Sequence, residues 1–255
     1  QGLSMARVRK QSGQGILEIA MMEIQEALSL PRLPSRVECY DISNISGTDA
    51  VGSMVVFQAG APSKQHYRRF KIKTVGGPDD FAMMREMLQR RFRYLAKQDH
   101  IALGSDTTES WGTIPDLVLI DGGKGHLSAV HEVFVEMGIT TDQVPLASLA
   151  KQEEEIFVPH SQDPVILPRN SQGLFLVQRI RDEAHRFAIT YHQKLRSKRQ
   201  TQSSFDTVPG IGPKRRKKLI QVYGSVKAIR EASVEELSTI PGITTVLAQN
   251  IKEHL

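Results

Sequence analysis

The sequence predicts an α/β domain with a mixed five-stranded sheet flanked by helices, followed by a small all-α domain. Three observations predict it. Three strand-like runs stand ahead of an alternation of helical and strand patterns, as in a meander that continues into crossover units. The most apolar run, Leu117-Val118-Leu119-Ile120-Asp121, has the character of a strand buried on both faces. Finally, Thr207-Val208-Pro209-Gly210-Ile211-Gly212 returns thirty-two residues later as Thr239-Ile240-Pro241-Gly242-Ile243-Thr244, a repeat of tight turns between short helical patterns.

Residues 1–14 are polar and expected to fray, whereas 15–28 place Ile16, Ala20, Ile24 and Leu28 at helical spacing. The two prolines of 31–36 break that helix. Strands are expected near 36–42, 50–58 and 66–74, separated by turns at 43–49 and 59–64. Pro78, Asp79 and Asp80 open a helix to about Lys97, with proline at an early helical position and the acids at the positive end of the dipole. After a polar loop at 98–113 come the 115–121 strand, a helix over 125–137, a strand over 145–150 and an irregular stretch to 171. A long helix over 172–198 carries the stripe Val177, Ile180, Ala184, Phe187, Ala188 and Tyr191. The expected organisation is an N-terminal extension over 1–35, an α/β domain over 36–198, a linker over 199–206 and a small all-α domain over 207–255.

Composition excludes several classes. The chain has 40% apolar and 24% charged residues, an ordinary globular balance. No apolar run is long enough to span a bilayer. A single cysteine, Cys39, allows neither a disulfide framework nor a cysteine-built zinc site, which fits a reducing cytoplasm. The net charge of +5 is unevenly placed: Leu176–Arg230 holds fourteen Lys/Arg against three Asp/Glu, so the rest of the chain is net acidic. A basic third on an acidic body points to a polyanionic partner, nucleic acid first. A solvated basic face would look the same.

The chemistry is expected at Asp41, Asp121 and His185. Asp41 lies in the first strand among apolar neighbours, and Asp121 ends the most hydrophobic one. Burying either carboxylate costs several kcal/mol without compensation, and one divalent cation would satisfy both. Each also has a plainer reading: Asp41 as an acceptor of backbone N–H groups, Asp121 as a helix cap. His185 flanks the stripe of the long helix, within reach of the sheet edge, or is simply a half-exposed histidine. Asp182, three residues earlier, is placed to orient it or to pair with Arg186. Asp80 at a helix start serves equally well as catalytic acid or as cap. Two motifs mislead. Asp182-Glu183-Ala184-His185 spells a helicase box, but no phosphate loop accompanies it. Gly122-Gly123-Lys124-Gly125 lacks phosphate-loop spacing and reads as a strand-to-helix turn that carries Lys124 toward Asp121.

In the repeat, Gly210, Ile211 and Gly212 form a turn whose backbone N–H groups can approach a phosphate, with a helix N-terminus behind them and Lys214, Arg215 and Arg216 alongside. The second copy, Gly242 and Ile243, has Thr244 for its second glycine and is expected to bind phosphate more weakly. Such contacts are sequence-independent and salt-sensitive. Arg68 and Arg69 either touch DNA or blunt a sheet edge; Lys124 and Lys151, each just after a strand, stand closer to the expected metal.

With these residues in hand, the chain resembles the C-terminal half of the UvrC family of bacterial nucleotide excision repair nucleases. The match is carried by Glu38-Cys39-Tyr40-Asp41-Ile42-Ser43, Tyr67-Arg68-Arg69-Phe70, Pro78-Asp79-Asp80-Phe81, Leu119 to Gly125, Ala150-Lys151, Arg181 to His185 and Gly210 to Arg216, in order over nearly the whole chain. The resemblance implies a ribonuclease H-like fold, a metal site of Asp41, Asp121 and His185, and Asp80 as a further essential acid. It implies a tandem helix-hairpin-helix tail, action on damaged duplex DNA at a single-strand/double-strand junction, and UvrB and UvrA as partners in a bacterial cytoplasm. The 5′ incision would belong to this half. The expected cofactor is Mg²⁺ or Mn²⁺, with carboxylates suiting the first and the histidine favouring the second. In-line hydrolysis leaving 5′-phosphate and 3′-hydroxyl ends is expected by analogy with the fold. A neutral His185 requires activity to fall as pH drops through roughly 6.5. Two other readings remain: a junction resolvase of the same fold, and a catalytically silent DNA-binding scaffold.

Overall fold

A computed structural model describes residues 2–43, 50–96, 112–151 and 154–255; most of the turn expected at 43–49 and of the loop expected at 98–113 lies outside them. Two compact units emerge, Gln1–Thr190 and Tyr191–Leu255.

The first unit is built on a mixed sheet. β1 (Arg36–Ser43) pairs antiparallel with β2 (Val51–Gln58), whose other edge takes the two-residue β3 (Ala61–Pro62) and β4 (Arg68–Lys71). On its other side β1 runs parallel to β5 (Leu117–Asp121), β5 parallel to β6 (Leu146–Ala150), and β6 antiparallel to β7 (Glu155–Phe157). The sheet therefore has seven strands where the sequence predicts five. β3 and β7 escape notice because two or three residues are too few for an alternating pattern to register.

Helices cover both faces. α2 (Asp80–Ala96) and α3 (Lys124–Glu136) pack side by side, with Phe92 and Phe134 in edge-to-face contact at 5.1 Å. α2 begins two residues later than Pro78 suggests, because Asp79 Oδ1 accepts the Ala82 N–H at 2.9 Å and acts as the cap. α1 (Gly2–Ala27) starts well before the predicted residue 15. Its Ala20 and Ile24, and Leu28 just past its end, are buried as expected, but Ile16 is exposed. Glu23 accepts the Gly173 N–H at 2.6 Å, and Ala20, Met21 and Ile24 join the main core, so this helix packs into the first unit instead of extending from it. The long α4 (Gln172–Asp206) buries Val177, Ile180, Ala184 and Ala188 of its predicted stripe, with Phe187 and Tyr191 half-buried. The 199–206 segment expected as a linker is helical, the end of α4; it has neither proline nor glycine to stop a helix.

Strand alternation puts Glu38 and Tyr40 on one face of β1 and Cys39 and Asp41 on the other. On the first face Arg91 of α2 meets Glu38 in a fully buried pair, Nη2 to Oε1 2.9 Å and Nε to Oε2 3.0 Å, joined by Arg36 and by the Tyr40 hydroxyl. Burial pushes the Glu38 carboxyl up, but the two guanidiniums outweigh it and hold the group below its ordinary value. This cluster fixes α2 against β1. The opposite face, with Asp41, belongs to α4.

In the second unit α5 (Pro213–Tyr223), α6 (Val226–Glu231), α7 (Val234–Ser238) and α8 (Thr245–His254) enclose a separate core of Phe205, Val208, Ile211, Leu219, Ile229, Leu237, Ile240, Ile243, Ala248 and Ile251. The repeated phrases fall at the turns before α5 and α8, with Gly210 and Gly242 at φ of 81° and 96°.

Candidate metal centre

Parallel pairing of β1 with β5 ends with Tyr40 opposite Ile120, so the next residues, Asp41 and Asp121, stand side by side toward the carboxyl ends of neighbouring strands. This is where open α/β sheets form a crevice. From the covering helix, His185 reaches across until its Nδ1 lies 3.5 Å from Asp41 Oδ2. One ligand atom from each of Asp41, Asp121 and His185 falls within 4.8 Å of the other two.

The electrostatics of this corner are unresolved by protein groups. Asp41 and Asp121 are 6% and 8% exposed, yet among the described residues Oδ2 of each has no well-formed hydrogen bond. Among the described residues, Asp41 Oδ2 is in ion-pair range of the imidazole, and Asp121 Oδ2 of the Lys151 ammonium at 3.4 Å. Burial and the Asp121 carboxylate push Asp41 up to about 6, against the pull of His185 and Lys151. Two buried carboxylates with orphaned oxygens and a neighbouring imidazole fit a small divalent cation, which takes oxygen ligands and tolerates one nitrogen.

His185 is held in place by its helix neighbours. Arg181, one turn earlier, donates to both carboxyl oxygens of Glu154 at 2.9 and 3.0 Å. Glu183 accepts from the Tyr67 hydroxyl at 3.1 Å and from Arg186 at 2.6 and 2.7 Å. Phe187 meets the Tyr67 ring edge-on at 5.1 Å and carries the Arg69 guanidinium over its face at 3.8 Å. Asp182 does not orient His185, nor does it pair with Arg186; it accepts from its neighbour Arg181 at 3.1 Å, while Glu183 takes Arg186.

Around the cluster lies a cleft of about 480 Å³ lined by Asp41, Asp80, Asp121, Gly122, Gly123, His126, Lys151 and Glu155 among others. Asp80 thus lines the cleft without joining the three clustered ligand atoms. His126 and Glu155 are additions that the sequence reading lacks. His126 follows the glycine turn, beside Phe81 at 4.7 Å, and approaches Gly122 so closely that a Cβ there would stand 2.6 Å from its Nδ1. Its signal was adjacency to Asp121; Glu155 gave none, standing in a stretch read as irregular.

The expected basic contacts separate. Lys151 lines the cleft, whereas Lys124 is exposed and turned to the Gln162 carbonyl at 3.4 Å. Arg68 donates to the carbonyls of Gln65 and Tyr67, both at 2.8 Å, and Arg69 lies on Phe187, so both guanidiniums are engaged within the fold. In the second unit the Ile211 and Ile243 side chains are buried, leaving only their backbone at the turns. Gly212 caps α5 with no side chain, while Thr244 Oγ1 accepts the Leu247 N–H at 3.3 Å. Lys214 is exposed; Arg216 pairs with Asp206 at 3.0 Å.

Comparison with known proteins agrees with this division. The family model of the UvrC RNase H endonuclease domain matches residues 25–189, and that of a SAM-like helix-hairpin-helix tandem matches residues 203–255. The UvrABC system protein C of Dehalococcoides mccartyi (strain BAV1) is 49% identical over 253 residues, covering 99% of this chain and 40% of that protein. The protein of the same name from Symbiobacterium thermophilum is 49% identical, covering 93% and 40%, and that from Methanosphaera stadtmanae 48%, covering 93% and 39%. The chain therefore spans about 40% of the length of these curated relatives.

Proposed function

The chain belongs to the UvrC RNase H endonuclease family, and from that premise we propose that it is a metal-dependent DNA endonuclease making the 5′ incision beside a lesion in nucleotide excision repair. The observation that carries this reading is the meeting of Asp41, Asp121 and His185, with two buried carboxylate oxygens left without hydrogen bonds.

In this reading Asp41 and Asp121 hold Mg²⁺ or Mn²⁺ together with His185. When bound, the cation lowers the pKa of an attacking water and relieves charge on the phosphate and leaving oxygen. The remaining steps fall to the chain itself. Asp80 lines the cleft beside the two aspartates and orients water there. Lys151 offers its ammonium to the scissile phosphate. Gly122 and Gly123 leave the cleft floor without side chains where a sugar-phosphate backbone must pass. The first hairpin of the tandem, with its open helix N-terminus and Lys214, holds backbone phosphates without reading sequence.

The substrate is a damaged duplex already opened to a single-strand/double-strand junction, and the partners are UvrB directly and UvrA through the same pathway. The relatives' name, UvrABC system protein C, supports those partners. The test is nicking of a pre-opened, lesion-containing duplex with Mg²⁺ or Mn²⁺, wild type beside Asp41→Ala. Nicking by the wild type alone supports the proposal; equal behaviour of the two proteins rejects it.

A further inference from the structure

In the second unit, the first hairpin's helix holds the second hairpin's tip. Arg215, in the first turn of α5, donates from Nε to the Gly242 carbonyl at 2.8 Å and from Nη1 to the Gly210 carbonyl at 2.9 Å. Lys218, nearly one turn on, donates to the Pro241 carbonyl at 3.1 Å. The tips are also in close packing: a Cβ on Gly210 would stand 2.8 Å from Leu247 Cδ1 of α8. One guanidinium thus joins the two glycines that recur thirty-two residues apart. The planar fork aims two separate donors, Nε and Nη1, at the two carbonyls in a fixed geometry, whereas a lysine here would offer one donor atom on a flexible stem in place of two.

We propose that Arg215 is a positioning residue for DNA binding, locking the two hairpin tips into one rigid platform instead of touching phosphate itself. This rests on the reading of the tandem as a binder of DNA backbone. Two independently mobile tips would each have to be ordered when DNA arrives, whereas tied tips are already in register. The tie also accounts for the division of labour among the basic residues: Arg215 and Lys218 face carbonyls, and exposed Lys214 is left to meet phosphate.

The test titrates the whole chain onto a partly opened duplex at salt concentrations of about 50 to 200 mM. Arg215→Ala and Arg215→Lys are each expected to weaken binding about three- to tenfold with the salt slope unchanged, since preorganisation is lost and no phosphate contact is. Lys214→Ala is expected to lower the slope by about one. Lys252→Ala removes a different tie, from Lys252 to the Arg230 and Ala232 carbonyls, two turns down α8. It is expected to lower the melting temperature of the unit and leave affinity alone. Wild-type affinity in Arg215→Lys, or a slope reduced by about one in Arg215→Ala, would overturn the proposal. So would an equal affinity loss in Lys252→Ala, which would make fold stability the cause. Absence of DNA binding by the wild type would instead remove the DNA-binding reading itself.

Discussion

Lys151 Nζ lies 3.4 Å from Asp121 Oδ2, a cation resting against a carboxylate whose oxygen has no hydrogen bond. Lys151 follows β6, and β6 places Leu149 opposite Asp121, so the ammonium is brought to the cleft by strand register and not by a salt bridge selected for strength. Its side chain is 57% exposed, which makes the pair weak and easily displaced.

Lys151→Ala should therefore raise the affinity for Mn²⁺, by about two- to fivefold, because an entering cation no longer meets a positive charge at its ligand. Incision should fall in the same variant. Calorimetric titration of metal into the DNA-free protein checks this; weaker metal binding would show that Lys151 supports the site.

Asp41→Asn should stabilise the metal-free protein while removing the stabilisation that Mn²⁺ gives the wild type. The wild-type carboxylate is buried beside Asp121 with one oxygen unsatisfied, and an isosteric amide removes the like-charge repulsion. Melting curves with and without Mn²⁺ are the measurement. A metal-induced shift as large in Asp41→Asn as in wild type would exclude Asp41 as a ligand.

Acidity should weaken metal binding as pH falls through about 6, the value to which burial and Asp121 push Asp41. Because the folded-state value is raised, the native protein holds this proton more tightly than the unfolded chain does. Metal-free stability from this group is therefore full below about 4 and declines as pH rises through 6. Metal-induced stabilisation runs the other way, larger at pH 7.5 than at pH 5. Equal metal shifts at the two pH values would contradict it.

Arg91→Met should destabilise the first unit by about 3 kcal/mol or more, since it strips a fully buried carboxylate of one of its two guanidiniums. Adding Glu38→Gln to that variant should recover much of the loss, because the stranded charge is then gone. Denaturant unfolding of the single and double variants decides it; a double variant no more stable than Arg91→Met would mean that the cluster acts through packing alone.

The sequence by itself determined the class of the fold and pointed to the three side chains that the fold brings together. Leu117–Asp121 could only be a buried strand, and a carboxylate ending such a strand demands compensation, so Asp121 was legible from its neighbours alone. The hairpins were legible because glycine at a left-handed position is a local requirement that repeats. Short strands gave no period, so β3 and β7 appeared only in the sheet. That His185 comes to lie beside Asp41 depends on the clamp of Glu154, Tyr67 and Arg69 on its helix, contacts made by residues distant in sequence. The same holds for Arg215: its composition said only that it was basic, while the fold turned its donors onto two carbonyls. Local pattern fixes what a segment can become, because dihedral and burial preferences act over a few residues. Which charges face one another depends on strand register and helix docking, and those are set by the packing of the whole core.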